Sequence, residues 1–201
     1  MAIIYNQLKS FYKAFIIPDN YNDRLESSNN NILHQNYKGI TILIDGTHCP
    51  IRRNNGQSKR KYHSYKLKRS AKSVLVAITL EGKSIWCSKS FPASKQDIKI
   101  IENEIESFEK SITKYDLVLA DLGYIGLKND NGQDIFIHKH KKPKNRTLSN
   151  NKVNENLILD GIRSKIEIYF GNFKKKFKIF NNKKIFPLNN NKFGKIFRTC
   201  L

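Results

Sequence analysis

Two stretches of this chain run through β-prone apolar residues into an aspartate with a glycine close behind. The first is Gly39-Ile40-Thr41-Ile42-Leu43-Ile44-Asp45-Gly46-Thr47-His48-Cys49-Pro50-Ile51; the second is Tyr115-Asp116-Leu117-Val118-Leu119-Ala120-Asp121-Leu122-Gly123-Tyr124. An unbroken apolar run closed by a turn signal reads as a strand covered on both faces. An acid at the end of such a strand sits where the sheet opens to solvent, the place α/β sheets reserve for ligands. A third acid, Glu167, falls on an amphipathic helical pattern further along. Two strand-end aspartates and a helical glutamate can converge on divalent metal.

The order of elements narrows the fold. Residues 1–38 read as one short helix carrying Leu8, Tyr12, Phe15 and Ile16, followed by a polar, asparagine-rich linker with an exposed loop at 27–31. One short helix is not a helix-turn-helix module. From residue 39 the pattern predicts a strand to Asp45, then a hairpin with strands at 73–80 and 84–91 around Gly82. A helix follows over 96–110, with Ile98, Ile101, Ile105 and Phe108 on one face. Next come the second acidic strand at 115–121, a short strand at 135–138, and a long helix over 154–180. The apolar face of that helix carries Ile158, Ile162, Ile166, Tyr169 or Phe170, Phe173 and Phe177, and residues 193–201 begin another helix. Three consecutive strands from residue 39 exclude a doubly wound fold, which alternates from the start. The order matches a ribonuclease H-like arrangement: α/β, with a mixed five-stranded sheet flanked by helices. At 201 residues the chain suits one domain, with 1–38 as an upstream appendage and 39–201 as the catalytic unit.

Charge points to the substrate. The chain carries 37 basic and 17 acidic residues, a formal charge of +20, which attracts polyanions. Enrichment in Asn, Lys and Ile suggests AT-rich coding, which accounts for part of the lysine excess. The basic residues are nonetheless concentrated after the first acid, as Arg52, Arg53, Lys59, Arg60, Lys61, Lys66, Lys68, Arg69 and Lys72, with Tyr62 and Tyr65 between them. Cations among aromatic rings suit a phosphate backbone and its exposed bases. The three cysteines, Cys49, Cys87 and Cys200, form no CxxC pair, which argues against a zinc knuckle and a disulfide framework. No stretch reaches the roughly 18 apolar residues of a membrane span, and no signal-peptide pattern opens the chain. The expected location is intracellular, the nucleus in a eukaryote or the cytoplasm in a bacterium.

Cleavage of a phosphodiester by two metals needs carboxylates bridging a pair of ions roughly 3.5–4 Å apart. Asp45, Asp121 and Glu167 supply hard oxygen ligands suited to Mg²⁺ or Mn²⁺. Arg163 lies one helical turn before Glu167, placed to orient it or to hold a phosphate.

The motifs themselves are familiar. Ile44-Asp45-Gly46-Thr47-His48-Cys49-Pro50-Ile51 resembles the first-aspartate motif of Harbinger-type DDE transposases and related insertion-sequence transposases. Leu119-Ala120-Asp121-Leu122-Gly123-Tyr124-Ile125-Gly126 is similar to their second-aspartate motif, and Arg163-Ser164-Lys165-Ile166-Glu167 with Phe173, Lys174 and Phe177 to the pattern around their glutamate. Pro92-Ala93-Ser94-Lys95-Gln96-Asp97 resembles the family's Pro-Gly-Ser…Asp segment, with Ala93 where glycine is usual. The resemblance spans about 39–201. It implies a ribonuclease H-like domain that cuts and joins DNA through Asp45, Asp121 and Glu167 with two Mg²⁺ or Mn²⁺ ions, with transposon ends and target DNA as partners. A second copy of the chain, or a separate DNA-binding protein supplying specificity, is a further partner consistent with it. The family carries a helical DNA-binding region ahead of the first aspartate and a longer closing helix, so the chain reads as trimmed at both ends. The alternative is therefore a catalytically inactive, transposase-derived DNA-binding remnant. A ribonuclease H-like nuclease acting on RNA–DNA hybrids or junctions shares the chemistry, but the Gly123-Tyr124 pair favours the transposase pattern.

Overall fold

The computed structural model describes residues 20–32, 37–52, 56, 58–128, 136–181 and 190–201. The expected N-terminal helix, Arg53 and the first residue of the short strand expected at 135–138 lie outside them. Helix α1 (Tyr21–Asn31) leads into strand β1 (Ile40–Pro50), a short helix α2 (Lys59–Tyr62), and strands β2 (His63–Ser64), β3 (Arg69–Thr79), β4 (Ser84–Cys87) and β5 (Phe91–Pro92). Helix α3 (Asp97–Glu109), strand β6 (Leu117–Leu119), a 3₁₀ turn (Leu122–Tyr124) and strand β7 (Phe136–Ile137) follow, and helices α4 (Asn150–Lys176) and α5 (Asn190–Cys200) close the described chain.

The seven strands form one mixed sheet with β2-β3-β1-β6-β7 as its main path. β1 runs antiparallel to β3 and parallel to β6, and β6 runs parallel to β7. Because β1 takes one edge of β3 from Ala71 to Thr79, β4 and β5 share the other. A strand stands at each of the five expected places, but the one expected over 84–91 is split into β4 and β5, and β2 is a two-residue addition.

Alternation along the strands sorts the core onto two faces. Leu43, Val74, Val76 and Ile78 join α4 and α5 through Leu159, Ile162, Ile166, Phe170, Phe173, Phe193 and Phe197. Ile42, Ile44, Leu75, Ala77 and Val118 join α3 through Ile100, Ile101 and Phe108. Ile40 breaks the parity and lies on the α4 face because the β1–β6 register shifts between Ile40 and Ile42. The buried stripe of α3 is Ile100, Ile101, Glu104 and Phe108 rather than one starting at Ile98. That rotation brings Trp86 against Phe108, with ring centroids 5.2 Å apart, while the indole N–H donates to Ser107 Oγ at 3.1 Å. On α4 the stripe is Leu159, Ile162, Ile166, Phe170 and Phe173, so Ile158 and Phe177 fall at its margin. Beyond α4 the chain tightens into a 3₁₀ turn (Lys178–Phe180), where Phe180 meets Phe173 and Phe197 at 5.5 and 5.0 Å.

The expected loop at 27–31 is part of α1 instead. Asn20 caps this helix by accepting from Asp23 N–H at 2.9 Å, and Ser27 and Ser28 are buried rather than exposed. Local propensity misleads here because the helix is anchored from a distance. Arg24, 4% exposed, grips the Asp116 carboxylate through Nε at 2.9 Å and Nη2 at 2.6 Å. Thr41 Oγ1 donates to the same carboxylate at 2.7 Å, as do Thr113 N–H at 2.8 Å and Thr113 Oγ1 at 3.0 Å. Burial pushes the Asp116 carboxyl up, but these donors and the guanidinium charge outweigh it and hold the group below its ordinary value.

Breaking one side of a buried ion pair leaves an uncompensated charge, at a cost of about 3–5 kcal/mol. Arg24→Ala is therefore expected to destabilise the chain by about that amount in urea unfolding at neutral pH. In the wild type the Asp116 contribution is fully present above the ordinary aspartate pKa of 3.8 and is lost as pH falls through the lower folded value. Unfolding curves for wild type and Arg24→Ala should converge in acid; a constant gap down to pH values below that range would overturn this account.

Candidate active site

Asp45 is not at the end of its strand. Gly46 pairs with Leu75 and the ladder continues to Pro50 opposite Ala71. What ends near Asp45 is the neighbour: β6 pairs with β1 only as far as Leu119 opposite Leu43. Asp121 lies two residues beyond that point, as the N-cap of the 3₁₀ turn. The two aspartates thus meet where β1 outlasts its parallel partner.

Helix α4 crosses this opening. Arg163 and Glu167 each follow a buried isoleucine of the helix stripe, Ile162 and Ile166, and so project from its margin one turn apart. The guanidinium of Arg163 lies among all three acids. Its Nη1 donates to Asp121 Oδ1 at 3.1 Å, while Nη2 is 3.7 Å from Asp45 Oδ2 and 3.5 Å from Glu167 Oε1. Arg163 Nε is buried without a hydrogen-bond partner. Glu167 is 65% exposed and Asp45 only 16%, so the acids span the passage from interior to solvent.

Electrostatics sharpen the picture. Burial lifts the Asp45 carboxyl above its ordinary range, outweighing the Gly46 N–H at 2.7 Å and the charges of Arg163 and Lys66, while Asp121 pushes in the same direction as burial. Lys66 is the member of the basic run that acts on the acids. Lys174 reaches in from α4 and donates to His48 O at 2.8 Å. Burial, Lys66 and Lys174 together lower His48 to about 4, so at neutral pH its ring is uncharged and bonded through Nδ1 to Ser64 Oγ at 2.7 Å. Burial pushes the Cys49 thiol up to about 12, which suits a core residue and not a ligand.

A fourth acid belongs to this site. Asp97, the first residue of α3, feels the charges of Asp45 and Asp121, and burial with those charges pushes it up to about 6 against the pull of Lys66. In sequence it reads as an ordinary helix start. Its only sign is the Pro-Ala-Ser-Lys-Gln-Asp segment, whose spacing gives no hint that the chain folds it back against β1. Beside it stands Tyr124, 1% exposed, with its hydroxyl unpartnered. Burial raises the phenol well above its ordinary value, and the nearby carboxylates of Asp97, Asp45 and Asp121 act in the same direction.

The basic run is divided among several elements. Lys59, Arg60, Lys61 and Tyr62 form α2, while Arg69 opens β3. Arg52, Lys59, Arg60, Lys61, Lys66, Lys68 and Arg69 are exposed, Tyr62 is half-buried, and Tyr65 is 71% exposed with its ring edge-on to His63. Lys61, Tyr62, Lys72, Phe91 and Lys95 line a cleft of about 440 Å³, in which the Lys95 ammonium lies 4.4 Å from the Phe91 ring centroid. Lys72 is four residues along β3 from Val76, the partner of Asp45; at about 3.4 Å per residue the cleft begins roughly 14 Å from the acids.

The family model for DDE superfamily endonucleases matches residues 44–201. The chain belongs to the DDE superfamily of endonucleases. The match opens one residue before Asp45 and takes in Asp97, Asp121, Arg163 and Glu167. No curated protein and no solved structure gives a significant match. Members of this superfamily act on DNA and generally use divalent metal. Among the described residues, no three His, Cys, Asp or Glu side chains are close enough to hold an ion as they are placed. The donor chemistry nonetheless fits a hard cation, because the acids supply oxygen alone and converge on a point already held by a positive charge. No described helix of the DDE domain is long and apolar enough to cross a membrane.

Arg163 is the counter-charge of the three acids. Arg163→Gln is expected to destabilise the chain by about 1.5–3 kcal/mol in chelator-containing buffer, the scale of hydrogen bonds to charged groups. Chemical denaturation measures this directly; an unchanged midpoint would mean the guanidinium contributes nothing to holding the acids.

Proposed function

We propose that this chain is the catalytic domain of a Harbinger-type DDE transposase, cleaving and joining DNA phosphodiester bonds with Asp45, Asp121 and Glu167 as ligands of two divalent ions. The observation that carries this reading is the convergence of the three acids on one guanidinium where β1 outlasts β6. Bound there, Mg²⁺ or Mn²⁺ would activate the attacking water or 3′-hydroxyl and take up charge on the leaving oxygen. Asp45 and Asp121 would hold the ions from the sheet and Glu167 from the helix. Arg163 would swing from its present partners to orient Glu167 or to meet a phosphate oxygen, a role its planar fork suits. Lys66 would hold the substrate backbone at the mouth of the site. Arg52, Arg53, Lys59, Arg60, Lys61, Lys68 and Arg69 would bind flanking phosphates, with Tyr62 beside the cleft available to a base. A covalent protein nucleophile is not needed.

A second reading is a DNA-binding remnant without turnover, favoured by the guanidinium that holds the acids together. One assay separates the two: Mn²⁺-dependent nicking of supercoiled plasmid by the full chain. Removing a ligand of the reacting metal forfeits several kcal/mol of transition-state stabilisation, so Asp121→Asn should reduce nicking by at least about a hundredfold. Equal nicking by wild type and variant refutes the assignment. Salt-sensitive DNA binding with no nicking in either establishes the remnant.

A further inference from the structure

Successive residues of a strand face opposite sides of the sheet. Asp45 looks toward α4, so Gly46 looks toward α3. A Cβ built on Gly46 would stand 2.9 Å from both carboxylate oxygens of Asp97 and 3.1 Å from its Cγ. The carboxylate of Asp97 thus occupies space that any other residue at position 46 would claim. Only because that residue is glycine does an acid from α3 reach β1 immediately beside Asp45.

This acid is poorly provided for. Among the described residues no hydrogen bond or ion pair reaches its carboxylate, which packs against Gly46 instead. Tyr124 adds an independent sign, its buried hydroxyl unpartnered and under the charges of Asp97, Asp45 and Asp121. Buried polar groups are normally satisfied, and a crowded carboxylate beside an unpartnered hydroxyl calls for an ion or water to complete them. Carboxylates with a hydroxyl beside them call for a hard cation.

We propose that Asp97 is the fourth carboxylate of the divalent-cation site, reaching it across Gly46 from the side of the sheet opposite Arg163 and Glu167. This rests on the metal-dependent reading above and adds to it a ligand from a different helix and a different face. Gly46 then has a defined duty: it lets donors from both faces of the sheet approach one point. The competing role for Asp97 is structural, since an acid in the first turn of a helix is favoured by the helix dipole.

The two roles predict opposite behaviour. The full chain, with Asp97→Asn, Gly46→Ala and Asp45→Asn variants, is titrated with Mn²⁺ by calorimetry, and thermal unfolding is followed with chelator and with Mn²⁺. If Asp97 holds the cation, Asp97→Asn unfolds no earlier than wild type in chelator, because a crowded negative charge is gone. Its Mn²⁺ affinity falls about tenfold or more, and its metal-induced rise in Tm shrinks. Gly46→Ala retains the acid but displaces it, and its affinity falls as well. Unchanged Mn²⁺ affinity in Asp97→Asn, with binding lost in Asp45→Asn, overturns the proposal and leaves the three-acid site standing. Unchanged affinity in all three variants removes the metal site itself and the proposal with it.

Discussion

The organisation of this molecule depends on β1 being longer than one of its neighbours. Through β3 it is paired from Ile42 to Pro50, so its backbone stays extended past Asp45 and Gly46. On its other edge β6 leaves it after Leu43. The strand therefore passes from fully covered to half covered over Ile44 and Asp45, and the first of its side chains to leave the buried core there is an aspartate. Below that point both faces are filled by apolar residues and resist change. Above it, α3 contributes Asp97, α4 contributes Arg163 and Glu167, and the turn after β6 contributes Asp121 to the opening. The closely packed interior fixes where these elements stand, and the end of one short parallel pairing fixes where they converge.

The convergence creates an electrostatic problem that the chain resolves only in part. Burial lifts Asp45 and Asp97, and the acids raise one another. Arg163 offsets some of this, in contact with three of them but on the α4 side of the sheet. The charge of Lys66 pulls Asp45 and Asp97 in the direction opposite to burial. The whole chain is strongly basic, yet the side chains gathered around Arg163 are acidic. Such an arrangement is costly in water alone and becomes favourable when a compact, highly charged cation joins it.

Much of this could be read in the sequence because the governing signals are local. Apolar runs marked β1, β3 and β6, and the 3.6-residue stripe marked α4 together with the side-by-side placement of Arg163 and Glu167. What could not be read depends on partners far along the chain. Asp45 looked like a strand end because Gly46 is a turn signal in isolation; pairing with Leu75 overrides it. Residues 27–31 looked like a loop because Ser and Asn favour loops. The buried bond from Arg24 to Asp116, 92 residues away, holds them in a helix. Asp97 was hidden for a related reason: its place is set by the absence of a side chain at Gly46, which no periodicity records.

The same geometry bears on how a polyanion would be handled. A phosphodiester brought to Asp45 meets negative charge from the protein, whereas phosphates on either side meet Lys66 and the exposed cations of α2 and β3. Long-range attraction and local repulsion therefore act on different parts of one strand. Under the proposed function the rim would set encounter and be weakened by salt, and the centre would accept the reacting phosphate once a divalent cation had offset its negative charge. Under the proposed function, substrate and cation would each improve the other's binding, a reciprocity that linkage requires whenever both favour the same charge state. Arg163 would then be the pivot of that exchange, releasing the carboxylates as the cation takes them and becoming free to face the phosphate.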